Sequence, residues 1–264
     1  MKKYLVIGNP INHSLSPELH NHWIKQNLID AIYEKKKLNN NELENLILDI
    51  KNENIHGANI TVPFKNAVIP YLDELSDEAK RTQSVNTLYL KNKKVVGHNT
   101  DIEGFIAAVR RINFNFNNKK VFILGAGGVV PSIIYASMKM GSSEIIISNR
   151  TKDKAERLKN IFENIKIVNW GDMPNFDVVI NATSLGLNKD DKINLDFNKV
   201  GKNKLFYDVI YNPDQTDFLN TAKKLGNKYE NGKLMFIYQA ILAFKLWHSV
   251  EPIISNQTIK LLDR

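Results

Sequence analysis

Two groups of residues in this chain have types and spacings suited to chemistry. The first is the run VFILGAGG, Val121–Gly128, in which an apolar stretch stops abruptly at glycines. Val121 to Leu124 are β-prone and apolar on both faces, as a central parallel strand requires. Gly125 and Gly127 then allow a tight turn and a close approach of backbone N–H groups to a pyrophosphate. The segment Ser132–Met140 has helical character and would aim its N-terminus at the same anion. Alone, such a G-x-G is explained equally well as a tight strand–helix turn. About twenty residues on, where a dinucleotide fold chooses its cofactor, the β run Glu144–Ser148 ends in Asn149, Arg150 and Thr151, with Lys154 nearby. An acid at this point bonds the ribose 2′-hydroxyl of NAD, whereas an arginine accommodates the 2′-phosphate of NADP. Arg150 and Lys154 could be solvated charges, but cations at the start of the helix Thr151–Phe162 oppose its dipole. The sequence favours NADP.

The second group lies in polar loops that follow strands. Gly8–Pro17 carries two hydroxyls two residues apart, Ser14 and Ser16, and Gly57–Lys65 carries Asn59, Thr61 and a terminal lysine. Val85–Thr87 and Gly97–Asp101 add amides, hydroxyls and a carboxylate, with Asn86 and Asp101 the functional candidates. Ligands of open α/β sheets bind outside the carboxyl ends of the strands, where such loops converge. Each residue also has a local explanation. Ser14 and Ser16 could cap a helix, Asn86 could shape a turn, Lys65 could be an exposed charge, and Asp101 could cap the helix 102–111.

The elements that must position these residues follow from periodicity and punctuation. Before the glycine run, the pattern gives strand Tyr4–Ile7, helix Pro17–Asn27, strand Ala31–Lys35, helix Asn41–Ile50 and strand Ala58–Val62. Ser16-Pro17-Glu18 reads as a helix start, with serine as N-cap and proline in the first turn. A helix is predicted over Asp73–Gln83, then a hairpin of Val85–Leu90 and Lys94–Val96, then a helix over 102–111. Beyond the glycines come β runs at 144–148, 165–168, 176–180 and 204–209, interleaved with helices. A long helix Leu234–Ser249 and a short one at Asn256–Leu262 close the chain. The fold class is α/β, with an N-terminal domain over 1–101, a Rossmann-type domain over 102–236, and C-terminal helices over 237–264 returning to the first.

Bulk properties narrow the function. The 264 residues suffice for two modest domains with real cores. The formal charge of +8 suits anionic small ligands, yet the lysines are scattered and no arginine-rich arm or basic aromatic stripe marks a nucleic-acid binder. Cysteine is absent, which excludes disulfides and thiolate catalysis and fits a reducing compartment. MKKYLVIGNP has too short an apolar run for a signal peptide, and no run could span a membrane, so a cytoplasmic protein is expected. His20 and His22 sit two apart, on different faces of one helix, which argues against a metal site.

The polar loops and the glycine run together resemble the shikimate dehydrogenase family, over nearly the whole chain and in the family's order. The matching segments are GNPINHSLSP (8–17), GANITVPFK (57–65), VNT (85–87), NTD (99–101), GAGG (125–128), NRT (149–151), NATSLGL (181–187), YDVIYNP (207–213) and GKLMFIYQA (232–240). The resemblance implies an NADP-dependent enzyme of aromatic amino-acid biosynthesis that reversibly reduces 3-dehydroshikimate to shikimate. It implies that Ser14 and Ser16 hold the substrate carboxylate. Asn59, Thr61, Asn86, Asp101, Tyr211 and Gln239 would line the rest of the pocket, and Lys65 and Asp101 match the catalytic pair. A lysine beside a carboxylate can take and relay the alcohol's proton while the cofactor carries the hydride, and no metal is needed. On the cofactor side the resemblance implies Gly125, Ala126, Gly127, Gly128 and Val129 at the pyrophosphate. It puts Asn149, Arg150, Thr151 and Lys154 at the adenosine phosphate, and Thr183, Val209, Gly232 and Met235 near the nicotinamide.

Two departures from the family pattern stand out. Val130 and Pro131 follow GAGG where a small residue and a cation are usual, and His98 precedes Asn99. The rival readings are a quinate/shikimate dehydrogenase with looser cofactor use and a non-catalytic sensor of the same ligand; intact Lys65 and Asp101 argue against the second. A monomer or homodimer is expected, with a small-molecule substrate as partner and neither nucleic acid nor membrane.

Overall fold

Buried apolar runs at Leu5–Ile7 and Val121–Leu124 seed two separate sheets, and the rest of the chain is arranged around them. The computed structural model describes residues 1–263 other than Lys189. In chain order the first elements are β1 (Lys2–Gly8), α1 (Ser16–Gln26), β2 (Ala31–Lys37), α2 (Leu43–Lys51), β3 (Gly57–Ile60), α3 (Phe64–Ala67), β4 (Glu74–Leu75), α4 (Asp77–Thr82), β5 (Thr87–Lys91), β6 (Lys94–His98) and α5 (Asp101–Arg111). They are followed by β7 (Lys120–Leu124), α6 (Val130–Lys139), β8 (Glu144–Ser148), α7 (Lys152–Ile161), β9 (Ile165–Val168), β10 (Val178–Asn181), β11 (Leu205–Asp208), α8 (Asp217–Lys224), β12 (Lys228–Glu230), α9 (Lys233–His248) and α10 (Asn256–Lys260). The chain divides into one unit of Met1–Gly104 with Ile237–Leu262 and another of Phe105–Phe236 with Asp263. The divisions fall inside α5 and α9.

In the first unit the strand order is β2-β1-β3-β5-β6-β4. β1 runs parallel to both β2 and β3, whereas β5 is antiparallel to β3 and β6. The order therefore reverses between β1 and β3, and the loops after those two strands, 9–15 and 61–63, leave the sheet side by side. One face is covered by α2, whose Leu46, Ile47 and Ile50 join Leu5, Ile7, Ile60, Leu88 and Val95 in a core. The second sheet is wholly parallel, ordered β12-β11-β10-β7-β8-β9. Its reversal lies between β7 and β10, the crevice where doubly wound sheets take nucleotides. Phe122, Leu124, Phe176, Phe206 and Phe218 fill one side of it.

The expected helix over Asp73–Gln83 is shorter than the sequence suggests. Asp73 accepts from the Val95 N–H and from Lys51, and the Ser76 N–H donates to the Gly97 carbonyl, so Glu74–Leu75 joins the sheet edge as β4. Ser76 then caps α4 by accepting from the Ala79 N–H. The helix after the glycine run begins at Val130, two residues earlier than expected, with Pro131 in its first turn where no intrahelical donor is lost. β12 and the single turn of α3 lack enough residues to register in any periodicity.

The other face of the first sheet carries rings rather than aliphatics. His20 lies flat on Tyr33, with centroids 4.2 Å apart and planes 4° apart, and is surrounded by Trp23, Phe244 and Trp247. Neither His20 ring nitrogen has a hydrogen-bond partner among the described residues. Burial drives this imidazole down to about 3, and the neighbouring His248 adds to the effect. Below about pH 6.5 the unfolded chain binds a proton on His20 that the folded chain refuses, so stability is whole above that pH and falls as the pH drops toward 3. Urea unfolding between about pH 6.5 and pH 4.5 should show a loss of about 1.4 kcal/mol per pH unit from this residue. His20→Phe keeps the stacked ring with no nitrogen to leave bare and should remove the His20 share of the slope, leaving what the lowered His248, His56 and His98 contribute against the raised Asp208. A slope unchanged by the substitution would assign the acid sensitivity elsewhere.

Candidate functional site

The first unit gathers its polar loops at the β1/β3 reversal. β3 ends at Ile60, the Thr61 N–H donates to the Ile7 carbonyl (2.9 Å), and the Phe64 N–H closes a turn on Thr61 (2.8 Å). That turn starts α3 and points Lys65 inward, where its Nζ donates to Asp101 Oδ2 at 2.5 Å. Lys65 is 8% exposed and Asp101 5%, so this is a buried ion pair and not a surface charge. Nor does Asp101 cap its helix: Asn99 Oδ1 accepts the Asp101 N–H (3.1 Å) while Asn99 Nδ2 is anchored to Thr82 and the Ser84 carbonyl. The carboxylate is thereby free to face the lysine.

Asn86 ties the remaining pieces together. Its Nδ2 donates to Asp101 Oδ1 (2.9 Å), Thr100 Oγ1 (2.9 Å) and Gln239 Oε1 (3.4 Å). Its Oδ1 accepts from the Thr100 N–H (2.8 Å) and the Thr87 hydroxyl (3.0 Å). Asn59 donates through Nδ2 to the Asn86 carbonyl and Thr87 Oγ1, both at 3.1 Å, and its Oδ1 accepts the Tyr33 hydroxyl at 2.6 Å. Burial pushes the Tyr33 phenol well above its ordinary value, so it acts as a neutral donor. Ser14 and Ser16 face each other, hydroxyl to hydroxyl, at 3.3 Å. Ser16 is not the helix cap expected from its place before proline: it is already the first helical residue, Leu15 is the N-cap with no side-chain cap bond, and the Ser16 N–H is accepted by the Ser14 hydroxyl (3.3 Å). His98 has a local role, its Nδ1 meeting the Ser76 hydroxyl at 2.8 Å beside Glu78.

The second unit presents a different kind of surface. Gly125 follows β7 with φ +113°, and its N–H donates to the Ser148 carbonyl (2.8 Å). A Cβ at Gly125 would lie 2.7 Å from the Ala182 carbonyl oxygen, so only glycine fits. Val129 is the N-cap of α6 and makes no side-chain cap bond, and Ala126, Gly127, Gly128 and Val129 form a turn at that helix N-terminus. Val130, where a third glycine would be usual, is fully buried, so the turn accommodates it. Past β8, the Asn149 amide braces the Thr151 carbonyl (2.7 Å), and Arg150 and Lys154 are exposed beside it. Past β10, Asn181 Oδ1 holds the Thr183 N–H and hydroxyl, and the Val209 N–H bonds the Asn181 carbonyl. Gly232 and Met235 lie at the start of α9, with the Gly232 N–H bonded to the Ile210 carbonyl. The turn, the helix start and the cations beyond β8 match the pyrophosphate and 2′-phosphate of a phosphorylated dinucleotide. Tyr211 also belongs to this unit, stacked on Phe236 at 4.5 Å, whereas the other polyol-binding candidates belong to the first.

Two family models match the chain: the shikimate dehydrogenase substrate binding domain over residues 6–88, and shikimate / quinate 5-dehydrogenase over residues 107–213. The NADP(+) shikimate dehydrogenase of Pelagibacter ubique is 55% identical over 262 residues, covering 99% of both chains. The chain belongs to the shikimate dehydrogenase family. Among solved structures, shikimate dehydrogenase from Aquifex aeolicus superposes with a TM-score of 0.90 at 34% identity, covering 99% of this chain and 97% of that one. The Thermus thermophilus enzyme in complex with NADP(H) and shikimate gives 0.89 at 28% identity, with 99% and 98% covered. The family's paired segments thus fall in separate units here, Lys65 and Asp101 in one and the glycine turn in the other.

Several residues of these networks carry no signal of their own in the sequence. Thr87 and Thr100 lie inside the VNT and NTD segments, yet nothing in their type separates them from turn residues. Tyr33 is the one fully buried side chain of β2, an otherwise half-exposed edge strand; a lone large aromatic in AIYEKKK was the only hint. Among the described residues no cluster of three His, Asp or Glu side chains could hold a metal, and no helix is long and apolar enough to cross a membrane. Ser16→Ala loses no cap, only its hydroxyl contacts with Ser14 and Tyr33, so its melting temperature should fall less than that of a cap deletion. Ser76→Ala, which removes a real cap, should cost about 0.5–2 kcal/mol. Thermal melts of the two variants check the contrast, and an equal loss in both would restore the capping role of Ser16.

Proposed function

We propose that this chain is a shikimate dehydrogenase, reversibly reducing 3-dehydroshikimate to shikimate with NADPH in aromatic amino-acid biosynthesis. The observation that carries the reading is the buried Lys65–Asp101 pair, set among amides and hydroxyls, in a chain similar over its full length to NADP-dependent members of the family. In this reading the substrate domain is 1–101 with the helices of 237–264, and 102–236 is the cofactor domain. The Ser14 and Ser16 hydroxyls donate to the substrate carboxylate. Asn59, Thr61, Asn86, Tyr211 and Gln239 hold the ring hydroxyls, and both Asn59 Nδ2 protons are already spent, so its Oδ1 serves as an acceptor. Lys65 Nζ and Asp101 sit at the reacting oxygen: the alcohol proton leaves to this pair during oxidation and returns from it during reduction. When bound, NADP supplies the hydride acceptor. Residues 125–129 face its pyrophosphate, Asn149, Arg150, Thr151 and Lys154 its 2′-phosphate, and Thr183, Val209, Gly232 and Met235 its nicotinamide end. We place the enzyme in the cytoplasm, as a monomer or homodimer.

The decisive assay follows absorbance at 340 nm with shikimate and quinate, each with NADP⁺ and NAD⁺. Shikimate with NADP⁺ should be turned over fastest by a wide margin; equal rates with quinate, or with NAD⁺, would overturn the specific assignment. Lys65→Met should lose roughly a hundred- to ten-thousandfold in turnover, the usual range for a general acid–base group. It also leaves the Asp101 carboxylate buried without its cation, so the melting temperature should fall, and kinetics must be compared well below the melt. Shikimate affinity measured by calorimetry should stay near wild type, since the missing interaction belongs chiefly to the transition state. Turnover within a few-fold of wild type would move the proton chemistry to Asp101 alone. Arg150→Ala removes a charged partner worth about 1.5–3 kcal/mol, or roughly ten- to a hundredfold in NADP⁺ affinity. The Michaelis constant for NAD⁺ should barely move, and equal losses with both cofactors would refute the assignment of Arg150.

A further inference from the structure

The second unit buries a carboxylate that the reaction does not use. Asp208, the last residue of β11, is fully buried and lies opposite Asn181, the last residue of β10. Three donors from three segments converge on it: Asn181 Nδ2 (3.0 Å), the Ile210 N–H (3.0 Å) and the Thr216 hydroxyl (2.7 Å) at the start of α8. Burial pushes this carboxyl up to about 6 while those hydrogen bonds pull it back, so it is chiefly ionised at neutral pH. A carboxylate only accepts, so together with the Leu185 carbonyl, which takes the other Asn181 Nδ2 proton (3.0 Å), it fixes that amide with its nitrogen toward Asp208. The Asn181 oxygen is then turned to the Thr183 N–H (3.1 Å) and hydroxyl (2.7 Å), and Thr183 Oγ1 in turn accepts the Leu185 N–H (3.0 Å). On the other side, the Ile210 carbonyl that follows Asp208 accepts the Gly232 N–H.

We propose that Asp208 is a positioning residue for the cofactor: through Asn181, Ile210 and Thr216 it fixes the backbone of Thr183, Val209 and Gly232 where the nicotinamide half binds. The proposal rests on the reading of those three residues as the nicotinamide end. Asp208→Asn can keep its oxygen on Asn181 Nδ2 and the Ile210 N–H, with its NH₂ group against a Thr216 hydroxyl that turns to accept, whereas Asp208→Leu removes the acceptor for all three donors. In Asp208→Leu the Asn181 amide is left with the Leu185 carbonyl alone and the Ile210 N–H has no acceptor, which loosens the segments carrying Thr183 and Gly232.

The test separates the two ends of the dinucleotide by titrating wild type and variant with NADPH, followed by its fluorescence, and with adenosine 2′,5′-bisphosphate, followed by calorimetry. For Asp208→Leu the expected result is roughly tenfold weaker NADPH binding, with affinity for the bisphosphate and the Michaelis constant for shikimate within about twofold of wild type, and Asp208→Asn should stay closer to wild type. Thr216→Val, which removes one donor, should move NADPH binding in the same direction, and Thr216→Ser, which restores the hydroxyl and the α8 cap, should return it. These two variants carry the test if Asp208→Leu does not fold. Equal losses for NADPH and the bisphosphate would mean general loosening of the unit and overturn the proposal. So would a lowered melting temperature with both affinities intact. A wild-type chain that binds NADPH without turning over shikimate would fail the functional reading instead, leaving the binding comparison valid.

Discussion

Burying the Lys65–Asp101 pair is the constraint around which the first unit is organised. Taking an ammonium and a carboxylate out of water costs several kcal/mol per ion, and their attraction offsets this only when the remaining lone pairs and protons also find partners. The structure meets that demand on Asp101: one oxygen faces Lys65, the other accepts from Asn86, and the backbone N–H is taken by Asn99. Satisfying Asn86 then requires Thr87, Thr100 and Gln239, and aligning its carbonyl requires Asn59, which requires Tyr33. One ion pair thereby dictates the side chains of five separate segments. The proposed proton transfer needs its donors fixed before the reaction, and a connected buried network is what fixes them.

The second unit also buries a carboxylate at a strand end, with a different consequence. Asp101 has a cation against it, and in the proposed reaction a proton passes between this pair and the substrate oxygen. Asp208 has three neutral donors and no cation within its set, and burial outweighs them, raising it to about 6. A group so enclosed has no route to a reacting atom; what it offers is rigidity. Around it the unit works chiefly with backbone: a glycine turn at φ +113°, a helix start and loop N–H groups. This suits a ligand recognised along an extended polyanion, just as the side-chain amides and hydroxyls of the first unit suit a compact polyol acid.

How legible these features were in the sequence depended on whether the determining interaction is local. The strand–glycine–helix unit at 121–139 and the arginine beyond β8 could be read directly, because turn geometry and strand burial act within a few residues. The helix at 73–83 could not, because the Asp73 and Ser76 bonds that divert it come from β6, some twenty residues away by chain. Ser16 shows the reverse failure: Ser-Pro-Glu is a sound local start signal, yet the Ser14 hydroxyl accepts the Ser16 N–H and the helix begins one residue early. For the polar loops, residue type alone left Lys65 and Asp101 as plausible surface and capping residues. Only the family's ordered segments singled them out, and only the fold shows that 36 residues of sequence separate two atoms 2.5 Å apart.

Net charge is a poor guide to function in such a chain, and the lysines show why. Lys51 pairs with Asp73, Lys94 with Glu74 and Lys3 with Glu34, each at 2.6–2.8 Å, a spacing hardly longer than that of Lys65 with Asp101. Their side chains are 37–57% exposed, against 10% for Lys65. In water-facing pairs, solvent screening and side-chain entropy consume most of the attraction, leaving about 0–1 kcal/mol. Inside the first unit the same two charges polarise everything they touch, and breaking the pair leaves a bare ion. The formal charge of +8 counts all these lysines alike. Burial, which depends on the turn at Thr61–Phe64 pointing one of them inward, is what makes Lys65 chemically different from the rest.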